Sequence, residues 1–376
     1  MGVGRILDEW TAKKISLKGD LTRETDLTRE AIDEYTMTRL RETVAYAREK
    51  SSFYRELYEA SNIMSRGDPT TPEEFTKLPF TDQEDLRKRG MELLCVKPGE
   101  ISRIVTLDTG GSTGSPKRVY FTEEDQQLTV DFFENGMQLM AGSCDNVLIL
   151  MPARVPGSIG RLLAEGLRRF GAQATEYGLP GILPEIHGAE KNLKEAENIL
   201  KLIKSERITG VVALPTHMAM LADMMIRKRK SGDSRTQDEM PEAGALKWAL
   251  LSAEYVGREQ ADKIAEAFGC RIYEHYGMTE MGLGCAVSCG CGEGYHVREA
   301  DLYIEIIDPQ TGRQVNDGGR GEIVFTTLTR TGMPFIRYRT GDFSRWITGR
   351  CACGSILKRL GRVEPRGVVK GYLKGE

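Results

Sequence analysis

The spacing of apolar residues follows two regular periods along the chain up to Tyr295. Between residues 20 and 60, apolar side chains recur at helical spacing with charges between them, which predicts helix. Further on, short apolar runs predict strands at Asn146–Met151, Ala172–Tyr177, Ile208–Leu214, Ala245–Leu251 and Cys270–Glu274. Amphipathic stretches around them predict helices at Glu123–Met140, Gly157–Phe170, Asn192–Ser205, Thr216–Lys230 and Gly257–Phe268. This alternation predicts the α/β fold class, with mostly parallel sheets and flanking helices.

The pattern changes after Tyr295, where short alternating stretches are joined by turns. They predict strands at Leu302–Ile307, Gly321–Thr327 and Phe335–Arg339, and hence a β-rich, barrel-like subdomain. The predicted organisation is an α/β part at 1–295, the β-rich subdomain at 296–360 and a short remainder at 361–376. Near the amino terminus, Thr81 followed by Glu84 predicts the capping box of a short helix.

Composition narrows the functional classes. Of the 376 residues, 28% are charged and the net charge is −3, which gives no case for binding nucleic acid or a membrane surface. No apolar run approaches the roughly 20 residues of a membrane span. The first residues have no apolar signal-peptide core, so we expect a cytoplasmic protein.

The loop from Thr109 to Lys117 has the most distinctive composition. Its residues Thr109, Gly110, Gly111, Ser112, Thr113 and Gly114 precede Ser115, Pro116 and Lys117. Glycines allow backbone N–H groups to approach one anion, and hydroxyls and a lysine add donors. The loop is not a Walker A motif, because Pro116 precedes the lysine. A Gly/Ser surface turn stays the alternative interpretation.

Two further motifs follow predicted strands. The first is Tyr276-Gly277-Met278-Thr279-Glu280, whose hydroxyl and carboxylate could hold a phosphate and Mg²⁺. The second is Tyr338-Arg339-Thr340-Gly341-Asp342, whose aspartate could accept hydrogen bonds from two ribose hydroxyls. Each motif alone reads as an ordinary loop. In this order, the glycine-rich loop and the two motifs resemble the signature of adenylate-forming enzymes, the acyl-CoA synthetase and luciferase superfamily.

More narrowly, the chain resembles the phenylacetate-CoA ligase and coenzyme F390 synthetase branch. The resemblance rests on Leu78-Pro79-Phe80-Thr81, Asp308-Pro309-Gln310-Thr311-Gly312 and Pro334-Phe335-Ile336-Arg337-Tyr338 as well as the three motifs. It implies ATP-dependent activation of a small-molecule carboxylic acid, with an aromatic acid as one candidate, to an acyl-adenylate with release of pyrophosphate. In many relatives coenzyme A then displaces AMP.

The resemblance also implies residue roles. Thr109 to Gly114 and Lys117 would bind the β- and γ-phosphates of ATP, and Thr279 would contact the α-phosphate. Glu280 would hold Mg²⁺, and Asp342 would bind the ribose with support from Arg362. The residues Ser252, Ala253, Glu254, Tyr276, Gly277 and Met278 would surround the adenine, with Tyr276 stacked on it. Lys117, Thr279 and Glu280 would form the catalytic group.

The eight cysteines suggest a second metal. Five of them cluster late in the chain, in Cys285, Cys289 and Cys291 and again in Cys351 and Cys353. Zn²⁺ takes four Cys or His ligands in structural sites, and some members of this branch carry such a zinc. The matching residues are Cys289, His296, Cys351 and Cys353, with Cys291 as an alternative first ligand. Free thiols in surface loops stay the alternative.

The chain departs from the superfamily at its end. Relatives continue with a small mobile carboxyl-terminal domain, which we expect to be absent here, so residues 361–376 would be a hinge remnant. Glu364-Pro365 stands where two acidic residues are common, and proline restricts φ. Three alternatives stay open: a separate protein supplies the domain, the enzyme stops at the adenylate, or the chain is a catalytically reduced nucleotide-binding protein. A homodimer is also open.

Overall fold

The computed structural model describes residues 4–17, 27–61, 69, 71–107, 116–180, 190–231 and 240–365. These residues form two compact units. The first unit contains Met1–Thr129, Met278–Ala286 and Glu293–Glu376, and the second contains Val130–Gly277 and Val287–Gly292. The subdomain boundaries predicted at 295 and 360 stay a prediction. Most of the predicted phosphate loop, Thr109 to Ser115, lies outside the described residues.

The second unit is built on a five-stranded parallel sheet. Its strands are β3 (Asn146–Leu150), β4 (Gln173–Glu176), β5 (Gly210–Ala213), β6 (Trp248–Leu251) and β7 (Arg271–Tyr276). They lie in the order β4-β3-β5-β6-β7, and every neighbouring pair is parallel. Its helices are α7 (Ile159–Arg169), α8 (Glu190–Ser205), α9 (Pro215–Ser231) and α10 (Arg258–Phe268). The predicted strands and helices of this region are therefore confirmed.

The two faces of this sheet bury different residues because side chains alternate along each strand. Val211 and Ala213 of β5 and Leu251 of β6 belong to one apolar core, together with buried residues of α8, α9 and α10. The intervening residues Val212 and Leu250 face the other side, toward α6 (Glu123–Met137) and α7. Both faces are covered, as parallel sheets require, so the central strands β5 and β6 are apolar throughout and β3 is apolar after Asn146.

The first unit contains antiparallel sheets. β10 (Leu302–Ile307), β11 (Gly321–Thr327) and β12 (Tyr338–Ser344) form one sheet in that order. β9 (Tyr295–Val297), β14 (Arg359–Leu360) and β13 (Trp346–Ile347) form a second, and β1 (Arg103–Leu107) pairs with β2 (Lys117–Phe121). The two-residue β8 (Ala286–Val287) lies where the chain passes from one unit to the other. The β-rich region expected after Tyr295 is confirmed.

The first unit also holds the amino-terminal helices. They are α1 (Arg5–Leu17), α2 (Arg29–Lys50), α3 (Ser52–Ala60), α4 (Pro72–Phe75), α5 (Gln83–Arg89) and the start of α6 (Glu123–Met137). Short 3₁₀ helices occupy Gly90–Leu93, Pro98–Glu100 and Thr279–Met281. Among the described residues, no helix is long and apolar enough to cross a membrane.

Two local predictions are wrong. The cap of α5 is Asp82, whose carboxylate accepts from the Glu84 and Asp85 amides, and Thr81 instead donates its hydroxyl to the Ile336 carbonyl. The last predicted strand, Phe335–Arg339, is displaced, because β12 runs from Tyr338 to Ser344. Arg337 has a φ of 48°, a left-handed conformation that interrupts extended backbone before Tyr338.

Candidate active site

Lys117 and Glu280, predicted as catalytic residues from different motifs, meet in the first unit. Lys117 begins β2, and Glu280 lies in the 3₁₀ turn Thr279–Met281. The Lys117 Nζ donates to Oε1 of Glu280 at 2.8 Å, and the Tyr338 hydroxyl donates to the same oxygen at 3.1 Å. The Glu280 side chain is only 1% exposed and that of Lys117 is 16% exposed. A carboxylate and an ammonium group are thus held together with little contact with solvent.

Arg330 fixes the backbone on both sides of this pair. Its Nη1 donates to the Glu280 carbonyl at 3.0 Å, and its Nη2 donates to the Tyr120 carbonyl of β2 at 2.7 Å. The guanidinium lies 4.2 Å from the centre of the Phe121 ring, and its Nε lies 3.9 Å from the Asp125 carboxylate. Burial lowers the pKa of Arg330. One buried side chain therefore ties the strand of Lys117 to the turn of Glu280.

The predicted ribose residues also belong to the first unit. Asp342 is partly buried on β12, where its amide donates to the Thr340 hydroxyl at 3.0 Å. Arg362 is exposed directly after Gly361. The preceding Gly341 has a φ of 77° and donates its amide to the buried Glu322 carboxylate, so the turn before Asp342 is fixed. The glycine provides a backbone conformation that other residues rarely adopt.

The predicted adenine-binding residues of the second unit follow the carboxyl ends of β6 and β7. Ser252, Ala253 and Glu254 come directly after β6, whereas Tyr276 ends β7 and Gly277 follows it. Ala253 has a φ of 70°, a strained conformation for a residue with a side chain. Glu254 accepts hydrogen bonds from the amide and hydroxyl of Thr216, at the start of α9. Parallel strands end at one edge of a sheet, which is where ligands of such sheets bind.

An apolar cavity lies in the same unit, on the face of the sheet opposite to its main core. Its enclosed space is about 20 Å³, room for about one water molecule. Its apolar lining includes Phe132, Phe133, Met137, Ile159, Leu163 and Leu250. The polar residues of the lining are Ser252 and His275, and the Ser252 hydroxyl lies 2.8 Å from Nδ1 of His275. The cavity therefore begins beside one of the predicted adenine-binding residues.

His275 is a feature that sequence reasoning missed. Its ring centre lies 6.1 Å from that of Phe132 and 6.2 Å from that of Phe133. Burial lowers the pKa of His275 to about 4, so the imidazole is neutral near pH 7. A signal was present in the sequence: His275 directly precedes Tyr276, and alternation along β7 separates the two onto opposite faces.

Three of the predicted zinc ligands meet within the first unit. His296, Cys351 and Cys353 are buried, and their ligand atoms lie within 4.8 Å of one another. The Cys353 sulfur lies 3.3 Å from Nε2 of His296. Cys289 belongs to the short 287–292 segment of the second unit, where it is buried, whereas Cys291 is exposed. Thiolate and imidazole donors at this spacing suit the tetrahedral geometry of zinc.

Comparison with known proteins identifies the family of this chain. The AMP-binding enzyme family matches residues 184–329. A phenylacetate-coenzyme A ligase of Thermus thermophilus is 30% identical over 341 residues, which cover 90% of this chain and 71% of that protein. The chain belongs to the phenylacetate-coenzyme A ligase family. A phenylacetate-coenzyme A ligase of Pseudomonas putida is 27% identical, with 90% of this chain and 71% of that protein covered.

A solved structure of a 2-hydroxyisobutyryl-CoA ligase shares the fold with this member of the phenylacetate-coenzyme A ligase family. It has a TM-score of 0.76 and 23% sequence identity, and the match covers 90% of this chain and 69% of that one. The predicted α/β fold and the predicted adenylate-forming branch are therefore confirmed, as is the enzyme class, an AMP-forming acid ligase. The roles of individual residues stay predictions.

Proposed function

We propose that this ligase activates a carboxylic acid with ATP to an acyl-adenylate and then transfers the acyl group to coenzyme A. The observation that carries this proposal is the contact between Lys117 and Glu280 at 2.8 Å. Two residues from motifs far apart in the sequence meet as a shielded ion pair. Such a pair can exchange partners when a nucleotide binds, since the ammonium can contact phosphate and the carboxylate can contact a metal ion.

We propose the following residue roles in nucleotide binding. In the first unit, Lys117 binds the phosphates together with Thr109 to Gly114, Thr279 contacts the α-phosphate, and Asp342 and Arg362 bind the ribose. In the second unit, Ser252 to Glu254 and the segment Tyr276–Gly277, continued by Met278, bind the adenine. Bound Mg²⁺ would neutralise phosphate charge, and Glu280 fits this ion because a carboxylate offers the hard oxygen ligands that Mg²⁺ prefers.

The proposed reaction is a displacement at the α-phosphorus. An oxygen of the substrate carboxylate forms a bond to this phosphorus, the bond between the α-phosphorus and the bridging oxygen of the β-phosphate breaks, and pyrophosphate leaves with that electron pair. Lys117 stabilises the negative charge of the leaving group, and Arg330 keeps the Glu280 backbone in place. Positioning and charge stabilisation therefore supply most of the rate enhancement.

We propose that the cavity of the second unit widens to receive the body of the acid. Its lining offers apolar contacts from α6, α7 and the sheet, and it includes Ser252 beside the proposed adenine-binding residues. A charged substituent would lose its hydration there without an ion partner among the lining residues. We therefore expect an apolar or aromatic acid whose only charge is the reacting carboxylate.

Pyrophosphate exchange into ATP tests the proposal. We expect carboxylate-dependent exchange in the wild-type chain and a decrease of roughly 10²- to 10³-fold in Lys117→Ala and in Glu280→Gln, because each removes a group that acts on phosphate charge. Lys88→Ala is the matched control, since Lys88 is 69% exposed on α5. ATP binding without exchange for any acid of a broad panel would indicate the alternative, a nucleotide-binding protein.

The same experiment separates the two half-reactions. Formation of a thioester after addition of coenzyme A would show that this chain completes both. Exchange without thioester would indicate that a separate protein is needed for the second. The mass of the purified protein in solution then decides between a single chain and a homodimer. A cytoplasmic location stays a prediction.

We also propose that His296, Cys351 and Cys353 hold a structural Zn²⁺, with Cys289 as the fourth ligand. The three buried donor residues of the first unit support the proposal of a metal site. The burial of Cys289 favours this residue as the fourth ligand over the exposed Cys291. Metal analysis should find about one zinc per chain. Cys353→Ser should lose the metal, whereas Cys144→Ser, at an exposed cysteine, should retain it. Native thiols with less than about half an equivalent of zinc would contradict the site.

A further inference from the structure

The cavity of the second unit has one hydrogen-bonding group whose capacity no described residue uses. The Nδ1 of His275 is occupied by the Ser252 hydroxyl at 2.8 Å. Its Nε2 has almost no exposed surface and no hydrogen-bond partner among the described residues. Buried polar atoms without a partner are uncommon and destabilise the folded state, so each one calls for an explanation.

The surroundings of His275 provide that explanation. Apart from Ser252, the side chains that line the cavity with it are apolar, including Phe132 and Phe133 against its ring. None of those other lining residues carries a titratable group. The His275 ring and the Ser252 hydroxyl that pairs with it are thus the polar groups of an apolar cavity, and a few placed polar groups of this kind fix the orientation of a small ligand.

We propose that Nε2 of His275 binds a hydroxyl substituent of the substrate, so that the enzyme selects hydroxylated carboxylic acids. This proposal rests on the proposed function, and it specifies the acid. A hydroxyl group suits the site in both tautomers of the ring. It accepts from Nε2–H when Ser252 donates to Nδ1, and it donates to Nε2 when Nδ1–H donates to Ser252.

Other substituents fit less well. A carbonyl or ether oxygen could pair with only one of the two tautomers, and an ammonium or second carboxylate would be a charge in an apolar cavity. The lowered pKa of His275 agrees with a neutral ring that can serve either as donor or as acceptor. An unsubstituted acid would leave Nε2 unpaired in the complex, and sites of this kind reject such analogues strongly.

The test compares matched acids that differ by one hydroxyl, such as benzoate and phenylacetate against each of their ring-hydroxylated isomers. The readout is kcat/KM for acid-dependent pyrophosphate exchange. For the wild-type chain we expect at least one hydroxylated isomer to exceed its parent acid by about tenfold or more, the effect of one net hydrogen bond. Equal values for every pair would overturn the proposal without any variant.

Two variants locate the effect. In His275→Phe the preference should fall to about one, because the ring that remains has no hydrogen-bonding atom. Phe133→Leu is the matched control in the same lining. It should change kcat/KM for both acids of a pair and leave the ratio of the two values unchanged. A preference that persists in His275→Phe would assign the hydroxyl to another group and contradict the proposal.

The outcomes separate this inference from the function on which it rests. If no acid of either kind supports exchange, the proposed function fails. If acids react but show no preference for a hydroxyl, only the role of His275 fails. His275→Gln keeps a donor and an acceptor at the position, so partial retention of the preference there would support the hydrogen bond over a change in cavity shape.

Discussion

The two units differ in what they bury. Among the described residues, the buried charged side chains of the first unit are Asp125, Glu280, Arg298, Glu299, Asp301, Glu305, Glu322, Arg330, Arg337 and Arg359. In the described part of the second unit, Asp145 is the one such residue, and its partner Lys247 is 60% exposed. The second unit instead buries a large apolar core and an apolar cavity.

This difference matches the chemistry proposed for each unit. Charged groups that act on phosphate must be held in fixed positions, and buried hydrogen-bonded ion pairs specify such positions at a cost in desolvation. An acid that carries one reacting carboxylate needs an apolar cavity with few polar groups. The first unit should therefore be most sensitive to the loss of a charge, and the second to the loss of apolar volume.

The largest effect is expected for Arg337→Met in the first unit. The Arg337 guanidinium donates to both carboxylate oxygens of Glu305, at 3.0 and 2.9 Å, and both side chains are almost fully buried. It also donates to the carbonyls of Leu78 and Thr76. Removing it leaves a buried carboxylate without its partner, which should lower the free energy of unfolding by about 3–5 kcal/mol. Hydrogen exchange of the amides in β10 to β12 would measure this decrease in the free energy of unfolding.

Two controls show whether the unpaired charge causes this loss. Arg320→Met removes an exposed pair with Glu364 and should change stability by less than about 1 kcal/mol. The double variant Arg337→Met/Glu305→Met replaces the buried pair by apolar side chains and should recover part of the loss. A double variant that is no more stable than Arg337→Met would show that packing or the carbonyl contacts dominate.

In the second unit, Leu221→Ala should have a somewhat smaller effect. Leu221 lies on α9 and is fully buried in the apolar core against the sheet. The substitution loses apolar contacts and leaves a cavity, which should cost about 3 kcal/mol. Hydrogen exchange should report it in β3 to β7. Leu193→Ala makes the same chemical change at a residue that is 39% exposed on α8, and a comparable loss there would contradict the explanation.

Acid should affect each unit through buried groups whose pKa is lowered. In the second unit, burial lowers the pKa of His275 from 6.5 to about 4. Below pH 6.5 the unfolded chain therefore binds a proton that the folded chain does not, and stability falls by up to about 3 kcal/mol as the pH drops to 4. In the first unit, burial raises the pKa of Asp301, but Arg298, Lys14 and the Thr329 hydroxyl lower it well below 3.8. Its contribution to stability is lost only below that pH.

Hydrogen exchange at a series of pH values, corrected for the intrinsic exchange rate, would check the role of His275. Protection of β3 to β7 should decrease between pH 6.5 and 4, and His275→Gln should remove that decrease because it leaves no titrating ring. A decrease in β3 to β7 that persists unchanged in His275→Gln would contradict the assignment of this pH dependence to His275.

The sequence predicted much of the fold because both of its periodic patterns follow from burial. Gly321–Thr327 and Leu302–Ile307 have the predicted bounds, since their residues alternate between two buried environments that only strands can satisfy. The displaced start of β12 was not predictable, because no property of an arginine indicates the positive φ of Arg337. The Arg337 side chain contacts Glu305 and the carbonyls of Thr76 and Leu78, which are distant in sequence.

The candidate site was predictable to a similar degree. Ordered motifs brought Lys117 and Glu280 into one hypothesis, and the structure places them in contact. Arg330 and His275 were not predicted as site residues, because neither belongs to a motif and their roles depend on tertiary contacts. Arg330 contacts carbonyls that lie 210 and 50 residues away in the sequence. His275 can be identified as a cavity residue only once α6 and α7 are known to cover its face of the sheet.

The smallest effect is expected for Asp82→Ala, which removes a charged helix cap at the surface of the first unit. It tests whether a charge at the surface contributes as much to stability as the buried charges do. The Asp82 carboxylate accepts from the Glu84 and Asp85 amides, and Asp85 accepts in return from the Asp82 amide. Asp82→Ala should lower stability by about 1 kcal/mol, because the cap satisfies amides that a seven-residue helix otherwise leaves to solvent. Glu84→Gln is the control, since the reciprocal cap contact comes from Asp85 and not from Glu84. The measurements are thermal unfolding and the exchange of α5 amides. An equal loss in Glu84→Gln would favour the capping box predicted at Thr81 over the one found at Asp82, whereas a small loss confined to α5 would show that the sensitivity of the first unit comes from its buried charges.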